Sequence, residues 1–182
     1  MTTSTPETQH STEDTGAPQF RPDIYFVYSH AASLIAFSGG AGLSRIAPGT
    51  VGTLVAFPLF WWLNHYLSPV YFLLLIDIMF IVGIWACGLC GKALGDPDHG
   101  GMVWDETVAF LLVLYFTPDE WTWQLAAFIL FRFFDIRKPL GIRRVDAWEH
   151  PSGIVLDDLL AGLYANLILQ VLVHLFPHYL IG

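Results

Sequence analysis

Apolar runs broken by short polar connections set the pattern of this chain. Past residue 23 they fall at 24–37, 51–66, 70–90, 107–116, 121–136 and 153–176. The run at 70–90 has 21 residues. As a helix rising about 1.5 Å per residue it matches a hydrocarbon core of roughly 30 Å, so it is predicted to cross a bilayer. Residues 24–37 are only 14 long, and an interfacial or buried helix is expected there. The run at 51–66 is predicted as a first span, closed by Trp61, Trp62 and Tyr66 in the manner of an interfacial aromatic belt. A turn over 64–69 leads into the long span. Thr117-Pro118-Asp119-Glu120 reads as a second turn, because proline breaks a helix and the acids cap the next. The legs on either side of it are short, so the hairpin over 103–136 either crosses at a tilt or is partly re-entrant. Pro177 stops the last span. The expected fold is all-α, a polytopic membrane helical bundle of about four to five membrane segments plus an N-terminal interfacial helix.

Composition sharpens this picture. Of 182 residues, 54% are hydrophobic and 13% charged, against about 25% charged in soluble domains. That is too little charge to cover a water-exposed surface, and an integral membrane protein is expected. The net charge of −8 leaves no general basic surface and excludes nucleic acid as a partner. Residues 1–22 are rich in Thr, Ser and Glu with no apolar core, so they are predicted to form a disordered acidic tail and not a secretory signal. Residues 23–182 form the membrane domain. Cys87 and Cys90 lie inside an apolar run without a second pair and read as packing residues.

Basic residues set the topology. Arg45, Lys92 and the group Arg132, Arg137, Lys138, Arg143 and Arg144 fall on alternate connections, while 64–69 and 117–120 carry none. Five membrane segments place all of them on one side, predicted to be the cytoplasm.

The acidic groups gather on that same side. Asp105-Glu106 and Asp157-Asp158 open two apolar segments, and Asp135 lies near the end of another. Either doublet alone is also what helix capping gives. Two doublets and Asp135 on one side point to a shared site, where a divalent cation relieves the repulsion; hard oxygen ligands favour Mg²⁺ over zinc. Arg132, Asp135 and Lys138 recur every three residues and share a helix face. Arg132 lies a turn inside an apolar run, so it is expected to hold Asp135 or a phosphate. Pro139 biases Lys138 out of the helix. The glycine-rich stretch 39–52, which includes Ser44 and Thr50, either cradles a phosphate with its free N–H groups or serves close helix packing. It lacks the Lys-Ser/Thr ending of a P-loop. Asp77, inside the longest run, belongs to a functional path or pairs with a neighbouring helix. His99 reads as a solvated loop residue, with a proton donor as the other option.

Four blocks carry a resemblance: Gly42-Leu43-Ser44 with Ala47-Pro48-Gly49-Thr50-Val51-Gly52-Thr53, then Val103-Trp104-Asp105-Glu106, then Arg132-Phe133-Phe134-Asp135-Ile136 with Lys138-Pro139, then Leu156-Asp157-Asp158 with Ala161-Gly162 and Tyr164-Ala165. In this order, over roughly residues 37–170, they resemble the phosphatidylglycerophosphatase A family. Arg45 departs from the family's usual proline after the serine. The resemblance implies a Mg²⁺-dependent lipid phosphatase of the bacterial inner membrane, multi-pass, with its active site facing the cytoplasm. Its substrate would be the phospholipid phosphatidylglycerophosphate. On that reading Asp105, Glu106, Asp135, Asp157 and Asp158 supply metal ligands, and Asp105, Glu106, Asp135 and Asp158 carry the chemistry. Arg132, Lys138 and Arg143 bind the phosphate, with the backbone near Ser44 and Thr50 assisting. The nucleophile is either an activated water or an aspartate. The rival readings are a phosphatase of another lipid phosphate, including the histidine-nucleophile type, and a small membrane transporter or scaffold. Pro151-Ser152-Gly153 lacks the histidine that the histidine-nucleophile type needs, since Ile154 follows.

Overall fold

In the computed structural model the described residues are 21–139, 142 and 151–176, the side chains of 151–155 excepted. Most of the acidic tail and Arg143 lie outside them. Every regular element among the described residues is helical. Two short helices, α1 (Ile24–Ser29) and α2 (Ala31–Ala36), come first, followed by a 3₁₀ turn at Ser38–Leu43. Then come α3 (Pro48–Tyr66), α4 (Pro69–Leu94), α5 (Trp104–Tyr115), α6 (Trp121–Arg137) and α7 (Pro151–Leu175).

Two of these helices, over Pro69–Leu94 and Leu156–Leu175, are long and apolar enough to cross a membrane. The expected four to five segments are therefore met in full length by two. The 12 residues of α5 rise only about 18 Å. The expected single helix over 24–37 is broken at His30, whose backbone is extended, and Asp23 caps α1 by accepting from the Phe26 N–H at 2.8 Å.

The main core lies between α3, α4, α5, α6 and α7, and aromatic rings from α3, α5 and α6 meet inside it. Phe57 packs edge-on against Phe110 with ring centres 5.3 Å apart, and Phe110 meets Phe131 at 5.3 Å. A second cluster holds Val27, Phe37, Cys87, Cys90 and Met102, so both cysteines are packing residues. The outer faces are apolar as well. Leu74, Ile78 and Ile81 on α4, Ile129 and Phe133 on α6, and Leu163, Leu167 and Val171 on α7 are all exposed. Apolar surface of this extent needs an apolar environment or a partner. Asp77 is exposed on the α4 face, not turned toward a neighbouring helix.

Candidate active site

The starts of α3 and α5, the end of α6 and the part of α7 around Asp157 and Asp158 meet at one end of the bundle. Proline begins α3 at Pro48, where a missing N–H costs nothing. The start of α5 is tied down by a buried polar knot. Thr107 Oγ1 lies 2.8 Å from Ser38 Oγ and 2.9 Å from the Gly52 carbonyl, and Val103 N–H donates to the Ala36 carbonyl at 2.8 Å. Trp104 is held on the other side, its indole N–H donating to the Met79 carbonyl at 2.9 Å. Asp105 and Glu106 thus open α5 from a fixed base, where the helix dipole favours negative charge.

Three carboxylates converge there. One oxygen from each of Asp105, Glu106 and Asp158 lies within 4.8 Å of the others. Asp105 and Asp158 are both 4% exposed, so little water screens them. Burial pushes the Asp105 carboxyl up to about 6, with the charge of Asp135 adding to it and a hydrogen bond from the Glu106 N–H opposing it. Glu106 is pushed well above the usual range, by burial first and then by Asp105, with Arg132 acting the other way. Glu106 Oε2 is buried without a hydrogen-bond partner among the described residues. A buried carboxylate that leaves an oxygen unpaired beside two other carboxylates suits a cation or a proton.

The other two acids are already held. Asp135 pairs with Arg132, and Asp157 pairs with Lys138. Arg132 also points Nη1 at Thr53 Oγ1, 3.4 Å away, while that hydroxyl donates to the Gly49 carbonyl at 2.8 Å. Arg132 Nε is buried without a partner among the described residues. Lys138 ends α6 in the left-handed region, at φ 44°. Pro139 does stop the helix, but the residue before it adopts this conformation and not the extended one. That turn carries Lys138 off the Arg132–Asp135 face and over to Asp157.

The remaining expected residues divide. Ser44 closes its own loop, Oγ donating to the Ile46 carbonyl at 2.9 Å. Thr50 sits in the first turn of α3, half-buried. His99 accepts from the Gly101 N–H at 3.0 Å and shapes its loop. Gly49 and Thr53 emerge with a positioning role. A β-carbon on Gly49 would lie 2.2 Å from Glu106 Oε1 and 3.3 Å from both terminal nitrogens of Arg132. Their signal in the sequence is the Pro48-Gly49-Thr50-Val51-Gly52-Thr53 run, whose glycine spacing shows close approach without saying to what.

Arg132→Ala is expected to destabilise the protein by about 3–5 kcal/mol, because it leaves Asp135 buried without its cation. Thermal unfolding in detergent checks this. The double variant Arg132→Ala/Asp135→Asn should recover much of the loss.

The bundle thus packs its helices around clustered carboxylates with Arg132 and Lys138 beside them, and comparison places the chain among the phosphatases. The sequence pattern of the family described as Phosphatidylglycerophosphatase A matches residues 34–173, and the chain belongs to that family. It is 38% identical over 146 residues to phosphatidylglycerophosphatase A of Escherichia coli, covering 79% of this chain and 84% of that one. The Haemophilus influenzae protein of the same name is 42% identical over 137 residues, covering 74% and 84%. A provisionally named phosphatidylinositol-3-phosphatase of Bacteroides thetaiotaomicron is 38% identical over 146 residues, covering 76% and 91%. No solved structure matches the chain.

Proposed function

We propose that the chain removes the terminal phosphate of phosphatidylglycerophosphate to give phosphatidylglycerol in phospholipid biosynthesis. The observation that carries this is the carboxylate trio on α5 and α7, with Arg132 and Lys138 beside it, in a chain of this family. Three hard oxygen donors and an unpartnered Glu106 Oε2 fit Mg²⁺. Asp105, Glu106 and Asp158 would hold it. When bound, Mg²⁺ neutralises phosphate oxygens and makes a water more acidic.

The chain's own groups supply the rest. Arg132, fixed by Asp135 and Thr53, presents its guanidinium to the phosphate as a planar donor array. Lys138 adds a positive charge from the side of α7. A carboxylate of the trio takes a proton from the attacking water as charge moves onto the ester oxygen that leaves. Expected Arg143 contacts fall outside the described residues. The membrane reading extends past the two long helices to α3 as a further span and α5–α6 as a hairpin embedded in the bilayer. Exposed Trp61, Trp62, Tyr66, Tyr71 and Trp121, at the end of α3 and the starts of α4 and α6, support this as an interfacial belt opposite the acids. The acidic end then faces the cytoplasm of a bacterial inner membrane, as the basic residues on its connections favour.

The third relative's name favours a second reading, in which the substrate is a phosphoinositide monophosphate. Membership of a phosphatase family leaves the transporter and scaffold readings without support. The test is phosphate release by purified protein from a panel of phosphorylated lipids, each with Mg²⁺ and with EDTA. Phosphatidylglycerophosphate is expected to be fastest and EDTA to abolish turnover. Full rates in EDTA would remove the metal, and a faster phosphoinositide would replace the substrate.

A further inference from the structure

A groove runs down the outside of the bundle from the acid trio, between α5 and α7. Its upper part has a volume of about 300 Å³ and is lined by Ala109, Val113, Leu159, Gly162 and Leu163, with Asn166 below. A second cavity of about 270 Å³ shares Phe116, Leu163 and Asn166 with the first and continues to Gln170. From Leu159 to Gln170 the helix rises about 16 Å, half a bilayer core.

Three features tie this groove to the site and not to the surface at large. Its upper end touches the trio in sequence: Leu159 follows Asp158, and Ala109 stands one turn beyond Asp105 on the same face. Gly162 lets the two helices approach, since a β-carbon there would lie 3.1 Å from Val113 Cγ2. The lower end has a polar floor, where Gln170 Nε2 donates to the Phe116 carbonyl at 2.6 Å and lies 3.4 Å from Asn166 Oδ1. The result is an apolar groove, open sideways, that begins one residue past Asp158 on α7 and one turn past Asp105 on α5 and runs to a polar floor at Gln170.

We propose that this groove seats one acyl chain of the lipid whose phosphate the trio hydrolyses. The inference rests on the proposed function and adds a subsite to it. Moving a chain from bilayer hydrocarbon into an apolar groove gains little transfer energy, because lipid tails are as apolar as the lining. The groove therefore acts on orientation. A seated chain fixes where the headgroup phosphate stands over Asp105, Glu106 and Asp158, and misplacement by about 1 Å at a reacting centre costs on the order of 10²-fold in rate.

Leu163 is half-exposed on the groove wall, so Leu163→Trp fills the space without disturbing the core. The variant is expected to lower kcat on long-chain phosphatidylglycerophosphate by about tenfold with KM little changed. It should leave the rate on an acyl-free analogue of the headgroup at the wild-type value. Leu74→Trp, on the exposed face of α4, should behave as wild type. A diazirine placed in mid-chain of phosphatidylglycerophosphate should label residues 109–116 and 159–170 of the wild-type protein, and unlabelled substrate should compete. The same diazirine on phosphatidylcholine should spread over the exposed helices without competition. Wild-type hydrolysis of the lipid with unchanged kcat in Leu163→Trp, or with label spread alike for both lipids, would overturn the groove and leave the phosphatase standing. No hydrolysis by the wild type would take the substrate assignment down, and the groove with it.

Discussion

Asp158→Asn is expected to cut phosphate release by at least about 10²–10³-fold, on the scale of losing one group that stabilises charge in a transition state, while making the metal-free protein more stable. The two effects share one cause. Asp105, Glu106 and Asp158 bring oxygens within 4.8 Å of one another, and two charges at that distance repel by on the order of 3 kcal/mol at an effective dielectric of 20. Without a cation the chain must bear this repulsion or take up protons. Asn keeps the shape of Asp and removes the charge. In EDTA the variant should therefore melt higher than wild type, by about 2–4 °C for each kcal/mol relieved. Added Mg²⁺ should raise the melting temperature of the wild type and do much less for the variant. A variant that melts lower in EDTA, yet gains as much from Mg²⁺ as wild type, would show that the trio is not the metal site.

The same geometry shows what was legible in the chain and what was not. Length and apolar character gave the long span at 70–90, found as α4 (Pro69–Leu94), and proline gave the breaks near 69, 118 and 139. Over 24–37 the sequence reads as one helix because the stretch is mainly apolar, although the polar pair Ser29-His30 stands where α1 ends. The break at His30 follows from packing, since α2 and the 3₁₀ turn fold back to bury Phe37 against α4 residues. The five acids were legible as a group but not in their division. Neighbours on a helix point about 100° apart. Two turns into α7 that angle sends Asp158 into the trio and Asp157 to Lys138, while at the start of α5 both acids reach the cleft. Which outcome a doublet takes depends on where the opposing cation stands. Lys138 meets Asp157 from a left-handed turn that ends α6.

Gly49→Ala is the second change expected to act strongly, through contact and not through backbone conformation. Gly49 is not among the residues of positive φ, so alanine suits its helical position. The difficulty lies in space. The new methyl would stand 2.2 Å from Glu106 Oε1 and 3.3 Å from both terminal nitrogens of Arg132. Backbone holds the glycine in the first turn of α3, so the carboxylate must move. Overpacking of this kind costs about 1–3 kcal/mol. Displacing Glu106 from the trio by even about 1 Å is expected to lower turnover by on the order of 10²-fold. Gly49→Ala/Glu106→Ala separates the two effects: the smaller side chain makes room, so the double variant should regain most of the lost thermal stability and none of the activity. Recovery of both would mean that Glu106 is dispensable. Recovery of neither would mean that the clash lies with Arg132, whose removal from Asp135 and Thr53 would unfold the same corner by a different route.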